Sequence, residues 1–340
     1  MARTKWGQLL RVDPLPFLAS SKNRLKKIQR SDGIFGFKLL RDKSSDLPWW
    51  ICLAVCRSLK RWFLPALLGL ALAAATCKTP HASTAKVPSQ IPDNTVEIPG
   101  GTFAMGSDSK DANENERPAH PVAVKSFRLD RTEVTVDAYG LCVRAGVCSE
   151  PDAYNDQRGS YRTFCNWKHP QSRFSHPINC VDFPQAAGFC AWAGKRLPTE
   201  EEWEYAARAG SEGRTYPWGS DKPDQSRLNA CGSECPANLV AKGFPRWSPM
   251  YETDDGWPET APVGSFPAGA SKHGVLDLAG NVWEWTASEY AAYDGSHAEK
   301  KPVLRGGSWG GGDPRTERTT NRFRLDPSSR AQFLGFRCAK

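Results

Sequence analysis

Gly306-Gly307-Ser308-Trp309-Gly310 has the letters of a nucleophile elbow, Gly-x-Ser-x-Gly, the strand-to-helix turn that exposes a serine hydroxyl for acyl transfer. The residues that follow, Gly311-Gly312-Asp313-Pro314, will not start an ordinary helix, so hydrolysis through Ser308 is not expected. Upstream, Asp277, Asn281 and Glu284 gather around Gly280 in a turn-prone stretch. Calcium takes roughly six to eight hard oxygens from carboxylates, amides and backbone carbonyls, and these residues offer them. On spacing alone the plainer reading, turn and surface residues without a metal, comes first.

Sulfur is the other reactive element. Cys52, Cys56 and Cys77 precede the main body, which carries eight more: Cys142, Cys148, Cys165, Cys180, Cys190, Cys231, Cys235 and Cys338. An even number in an exported domain points to disulfides. Zinc is the alternative for Cys142/Cys148 and Cys231/Cys235, but neither has the matching partner pair that a four-thiolate site needs.

The scaffold for these groups is legible in places. Thr95 to Gly106 alternates apolar and polar residues around Pro99-Gly100-Gly101, as two short strands do, and Val122, Val124 and Phe127 suggest another. Thr135 can cap a helix that carries Tyr139, Cys142 and Val143 on one face and stops at Gly146. Asp182 with Gln185, and Thr199 with Glu202, form capping boxes for two more helices, ending at Gly194 and Gly210. From Gly210 onward the density of Gly, Pro, Asn, Asp and Trp predicts mostly loop, held by aromatic packing, disulfides and ions.

The net charge of +8 belongs to the leader: up to Thr76 there are 14 Lys and Arg against 4 Asp and Glu, leaving 31 against 33 beyond it. A nearly neutral globular part argues against nucleic-acid binding. Lys60-Arg61 precedes a short apolar run from Trp62 to Ala75, the pattern of a secretory signal. The run meets Thr76-Cys77, which resembles the end of a bacterial lipoprotein signal, with Cys77 as the lipidated residue and an uncleaved signal anchor as the alternative. The expected organisation is an unassigned extension over 1–54, a signal and lipobox-like segment over 55–77, a Pro/Ser/Ala/Thr-rich tether over 78–92 and one domain over 93–340. The localisation that follows is exported, lipid-anchored to a membrane of a bacterial cell envelope.

Several separate words then fall in one order: Val96-Glu97-Ile98-Pro99-Gly100-Gly101-Thr102-Phe103, Glu133-Val134-Thr135, His176-Pro177-Ile178-Asn179-Cys180-Val181, Gly194-Lys195-Arg196-Leu197-Pro198-Thr199-Glu200, Tyr216-Pro217-Trp218-Gly219, Ala261-Pro262-Val263-Gly264-Ser265-Phe266, Gly280-Asn281-Val282-Trp283-Glu284-Trp285, Arg305-Gly306-Gly307-Ser308-Trp309 and Gly335-Phe336-Arg337-Cys338. Together they resemble the formylglycine-generating enzyme, or sulfatase-modifying factor, family. The resemblance implies an irregular α+β fold related to C-type lectin-like domains, low in regular secondary structure and stabilised by calcium and disulfides. It implies one structural calcium site from the side chains of Asp277 and Glu284 with the carbonyls of Gly280 and Val282. A second would use Asn238 and Asp255 with the carbonyls of Leu239 and Trp257. It also implies a Cys190 to Cys338 disulfide, worth about 4 to 5 kcal/mol by loop closure. Cys142 with Cys148 and Cys231 with Cys235 are then candidate local bridges, leaving Cys165 with Cys180.

The family enzyme oxidises a sulfatase cysteine to formylglycine with two thiolates, placed shortly after the Gly-Gly-Ser word, that hold Cu(I). Soft thiolates suit Cu(I), and other side chains imitate them poorly. No cysteine occurs here between Cys235 and Cys338, so copper is not expected. The iron-dependent relatives of the ergothioneine type are also a poor fit, since no His-x-x-x-His pair exists. Trp283, Arg305, Ser308, Trp309 and Arg322 lie in or near the words that line the family's substrate groove, with the glycines 310–312 as an open floor. The competing reading makes the tryptophans core aromatics and the arginines buried pair-formers. The expected function is a binding or accessory module whose partner is an extended peptide, protein or glycan of the cell envelope. The alternative is an oxidoreductase of the same superfamily with another metal site, using groove residues such as Asp313, Arg315 and Arg322.

Overall fold

Pro99-Gly100-Gly101 turns the chain between β1 (Thr95–Ile98) and β2 (Gly101–Met105), where the alternation predicts two strands. Gly100 is required by close packing, because a Cβ there would lie 2.6 Å from the Ser126 nitrogen and from the Val124 oxygen. The two strands do not pair with each other. β2 pairs antiparallel with β3 (His120–Val124), and β1 with β4 (Phe127–Asp130), giving two separate two-stranded sheets. The computed structural model describes residues 91–151 and 160–340, all within the unit Thr79–Lys340. Cys77, the extension 1–54, the segment 55–77 and all but the end of the tether lie outside the described residues.

The predicted caps start the helices. Thr135 Oγ1 accepts the Ala138 N–H at 3.1 Å and opens α1 (Val136–Arg144), which stops before Gly146 at φ 71°. A one-turn α2 (Pro170–Arg173) leads to α3 (Phe183–Trp192), where Asp182 and Gln185 close a reciprocal box. Thr199 and Glu202 do the same for α4 (Glu200–Ala207). Such a cap contributes about 1 kcal/mol. Helix α4 ends earlier than its stop signal at Gly210 suggests, because Ala209 already adopts the left-handed region at φ 57°.

The stretch beyond Gly210 is more regular than its composition predicts. It contains α5 (Cys235–Ala241) and a four-stranded sheet of β5 (Trp283–Ala291), β6 (Ala298–Arg305), β7 (Phe323–Arg324) and β8 (Leu334–Gly335), in the order β7-β6-β5-β8. Only the β5–β8 pairing is parallel. Strand alternation is blurred in the sequence because β5 buries Glu284 and Thr286, and β6 begins with the polar Glu299, Lys300 and Lys301.

Tyr139, Phe189, Trp285 and Phe336 form the centre of the main core, and Phe103, Leu129, Trp203 and Tyr205 a second one. Among the described residues four disulfides brace the irregular fold: Cys142–Cys148, Cys165–Cys180, Cys190–Cys338 and Cys231–Cys235. Among the described residues no helix is long and apolar enough to cross a membrane.

Candidate functional site

The arginines expected to line a groove are internal. Arg305, at the end of β6, is 0% exposed; its Nε donates to Glu200 Oε1 at 3.0 Å, Nη2 to Glu204 Oε2 at 2.7 Å and Nη1 to the Thr319 carbonyl at 2.9 Å. Arg322 makes a two-point pair with Glu200, both contacts at 2.7 Å, and lies over the Tyr293 ring at 3.9 Å. Every charge in this cluster has a partner, so neither arginine offers a donor to a ligand. The pair-former reading replaces the groove reading for both. Trp283 is half-buried against Phe323, with ring centroids 5.8 Å apart.

Ser308 and Trp309 are buried, and the glycines beyond them are held from two sides. Beneath lies Glu317, fully buried, which accepts the Gly280 N–H at 2.8 Å, the Thr316 hydroxyl at 2.9 Å and the Ser308 N–H. A Cβ at Gly307 would lie 1.9 Å from Glu317 Oε2, and one at Gly311 2.3 Å from Oε1. Burial pushes the Glu317 carboxyl up to about 8, against the three donors that favour its charge. Above lie Trp247 and Ser248: a Cβ at Gly310 would meet the Trp247 ring at 2.5 Å, and one at Gly312 the Ser248 carbonyl at 2.3 Å. The glycine run is therefore a packed layer and not an open floor. Close packing from both faces is the physical reason for three successive glycines.

Around Gly280 the expected cation ligands divide. Glu284 gives both oxygens to Arg337, at 2.7 Å each, and accepts the Trp203 indole N–H at 2.9 Å. The backbone carbonyl of Asp277 accepts from Arg337 Nη2 at 3.0 Å, and its side chain accepts the Gly264 N–H at 2.6 Å. Beside it stands Glu133, absent from the sequence-level ligand set, which is 2% exposed and has no hydrogen-bond partner for either carboxylate oxygen among the described residues. Burial first, and then the Asp277 charge, raise the Glu133 carboxyl well above its ordinary range. An orphaned buried carboxylate next to a second one fits a hard cation, so Glu133 and Asp277 are the residues that would hold calcium here. Glu284 has its charge balanced already. Glu133 lies in the word Glu133-Val134-Thr135, and an acid preceding a helix cap was the only signal available.

The second expected set fits less well. Asp255 accepts from Tyr251, the Ala230 N–H and the Trp257 N–H, while the Leu239 carbonyl accepts from the N–H groups of Lys242 and Phe244. Asn238 donates to Glu259 at 3.2 Å, and Glu259 also holds Lys242 and Arg173. The nearby carboxylates of Glu234, Asp254 and Asp255 place one oxygen each within 4.8 Å of one another. Burial, followed by Asp255 and Asp254, raises Glu234 to about 7.

Residues 80–340 match the family model described as the sulfatase-modifying factor enzyme 1-like domain. The chain belongs to the sulfatase-modifying factor family. It is 35% identical over 284 residues to the bovine (Bos taurus) protein named inactive C-alpha-formylglycine-generating enzyme 2, covering 72% of this chain and 87% of that one. It is 36% identical over 239 residues to the formylglycine-generating enzyme of Mycobacterium tuberculosis, covering 57% and 74%. Among solved structures, PvdO from Pseudomonas aeruginosa superposes with a TM-score of 0.53 at 28% identity, covering 72% of this chain and 93% of that one. This sulfatase-modifying factor domain is an atypical one, since the cysteine pair after the Gly-Gly-Ser word is missing.

Proposed function

We infer that the domain is an exported, lipid-anchored binding or accessory module on the sulfatase-modifying factor scaffold, inactive as a formylglycine-generating oxidase. The observation that carries this reading is the glycine layer itself. Gly310, Gly311 and Gly312 follow Ser308-Trp309 with no thiol, and both faces of the layer are filled by protein. The relatives from Bos taurus and Mus musculus named as inactive, at 35% and 33% identity, support it. Its partner is an extended peptide, protein or glycan of the cell envelope. The fold is of the C-type lectin-like kind, and calcium at Glu133 and Asp277 has a structural role.

The oxidoreductase alternative loses one of its three residues, because Arg322 is spent on Glu200. Asp313 and Arg315 pair with each other at 2.6 Å near the surface. Oxygen uptake by the purified protein, supplied with Cu(I) and a cysteine-containing sulfatase peptide, tests the choice. No turnover is expected; sustained uptake with formylglycine in the peptide would sink the accessory-module reading.

A further inference from the structure

Residues 243–249, Gly-Phe-Pro-Arg-Trp-Ser-Pro, run across the glycine layer without regular secondary structure. Gly243 and Phe244 donate backbone bonds to α5, and Met250 donates to the Cys231 carbonyl. Between them, among the described residues, no hydrogen bond or ion pair joins residues 245–249 to the domain. Two rings hold the strap instead. Phe244 sits 4.7 Å from Tyr161 and 5.0 Å from Phe164, and Trp247 lies on Trp309 at 5.7 Å and 27°. Pro245 and Arg246 between the anchors, and Ser248 just beyond Trp247, are exposed.

The surface under Trp247 is more specific than a patch of core. Trp309 supplies a flat wall, Phe164 packs against it at 5.5 Å, and Gly310 removes the one Cβ that would block a ring. Gly312 likewise admits a backbone carbonyl beside that ring, where the Ser248 oxygen now lies. Such a slot accepts an aromatic side chain and its neighbouring main chain, and beyond the backbone bonds of Gly243 and Phe244 its present occupant is held by ring contacts, the kind of contact a peptide side chain can replace.

We propose that residues 243–249 are an autoinhibitory plug, and that the slot they fill binds an aromatic side chain on an extended, proline-flanked peptide. This rests on the binding-module reading and names the class of its ligand. The plug competes as an intramolecular ligand at an effective concentration on the order of millimolar, so an external peptide meets a closed site until the strap lifts. Aromatic anchors with few torsions suit such a ligand because little freedom is lost on seating them.

The test uses the full chain and a fluorescein-labelled peptide Gly-Phe-Pro-Ala-Trp-Ser-Pro, followed by anisotropy. Trp247→Ala is expected to bind it at least about tenfold more tightly than the wild type, by removal of the competing ligand. A peptide with Ala in place of Trp is expected not to bind. Phe244→Ala, which leaves Trp247 in place and loosens the other anchor, is expected to shift affinity in the same direction and carries the test if Trp247→Ala does not fold. Equal affinity for wild type and variants, or no binding to any of them, overturns the plug. That failure leaves the accessory-module reading intact, since that reading is decided by turnover of the wild-type protein.

Discussion

Arg337 and Glu284 form a two-point ion pair inside the domain, Nε to Oε2 and Nη2 to Oε1, each at 2.7 Å, with both side chains fully buried. The same guanidinium donates to the carbonyls of Asp130, Arg131, Leu276 and Asp277, so one side chain ties β4 and its following turn to the segment before β5. Removing one member of such a pair strands the other charge, at a cost of about 3 to 5 kcal/mol. Arg337→Met should lose stability on that scale in urea unfolding, and a loss under about 1 kcal/mol would show that the pair is not a structural centre.

Calcium should raise the melting temperature of the protein through Glu133 and Asp277, since a ligand that binds only the folded state stabilises it by mass action. Glu133→Gln should lose most of that gain, because a neutral amide replaces the carboxylate that would meet the cation. Calorimetry that shows no response to calcium in the wild type removes the cation from this site.

Glu317 predicts a pH dependence of definite sign. Its folded-state carboxyl is raised from 4.5 to about 8, so between those values the folded protein keeps a proton that the unfolded chain has released. Stability contributed by this group is therefore full below the unfolded value and falls as pH rises, by at most about 1.4 kcal/mol per pH unit, levelling out above the folded value. The difference between wild type and Glu317→Gln, followed from acid to pH 8, isolates this slope from other titrating groups. Parallel curves would contradict it.

Two disulfides provide a graded comparison. Cys190–Cys338 closes a loop of separation 148 and Cys231–Cys235 one of separation 4. Loop-closure entropy gives about 5 kcal/mol for the first and about 2 for the second. Replacing each pair by alanine and measuring chemical unfolding should reproduce that order. The reverse order would mean that strain or packing around the sulfurs outweighs chain entropy.

The elements that rest on local chemistry were legible. Thr135, Asp182 with Gln185 and Thr199 with Glu202 announce helix starts through side chains that meet their own backbone three residues on, and all three helices form there. Partner choice was not legible: β1 and β2 flank one turn yet pair with β4 and β3, because register depends on residues about fifteen to thirty-five positions away. The sheet of β5 and β6 was hidden by Glu284 and Thr286, whose burial depends on Arg337 and the Val303 carbonyl. Arg305 and Arg322 illustrate the same limit. Their family words place them near a groove, but the two glutamates of α4 that neutralise them lie about a hundred residues earlier. Trp247 had no motif at all, being one aromatic in an exposed proline-flanked run.

The order in which the bridges close follows from their spacing. Cys142 and Cys148, Cys165 and Cys180, and Cys231 and Cys235 are each sequence neighbours among the domain's cysteines, whereas Cys190 must wait for Cys338. An exported chain that enters an oxidising compartment N-terminus first must deliver 148 further residues before this pair can close. Over this interval Cys190 is, among the described cysteines, the one whose mate is not its neighbour in sequence, and in its last part Glu284 is present without its Arg337. A single late segment thus supplies both the missing sulfur and the missing cation, and the chain is exposed to mispairing at one cysteine until it arrives.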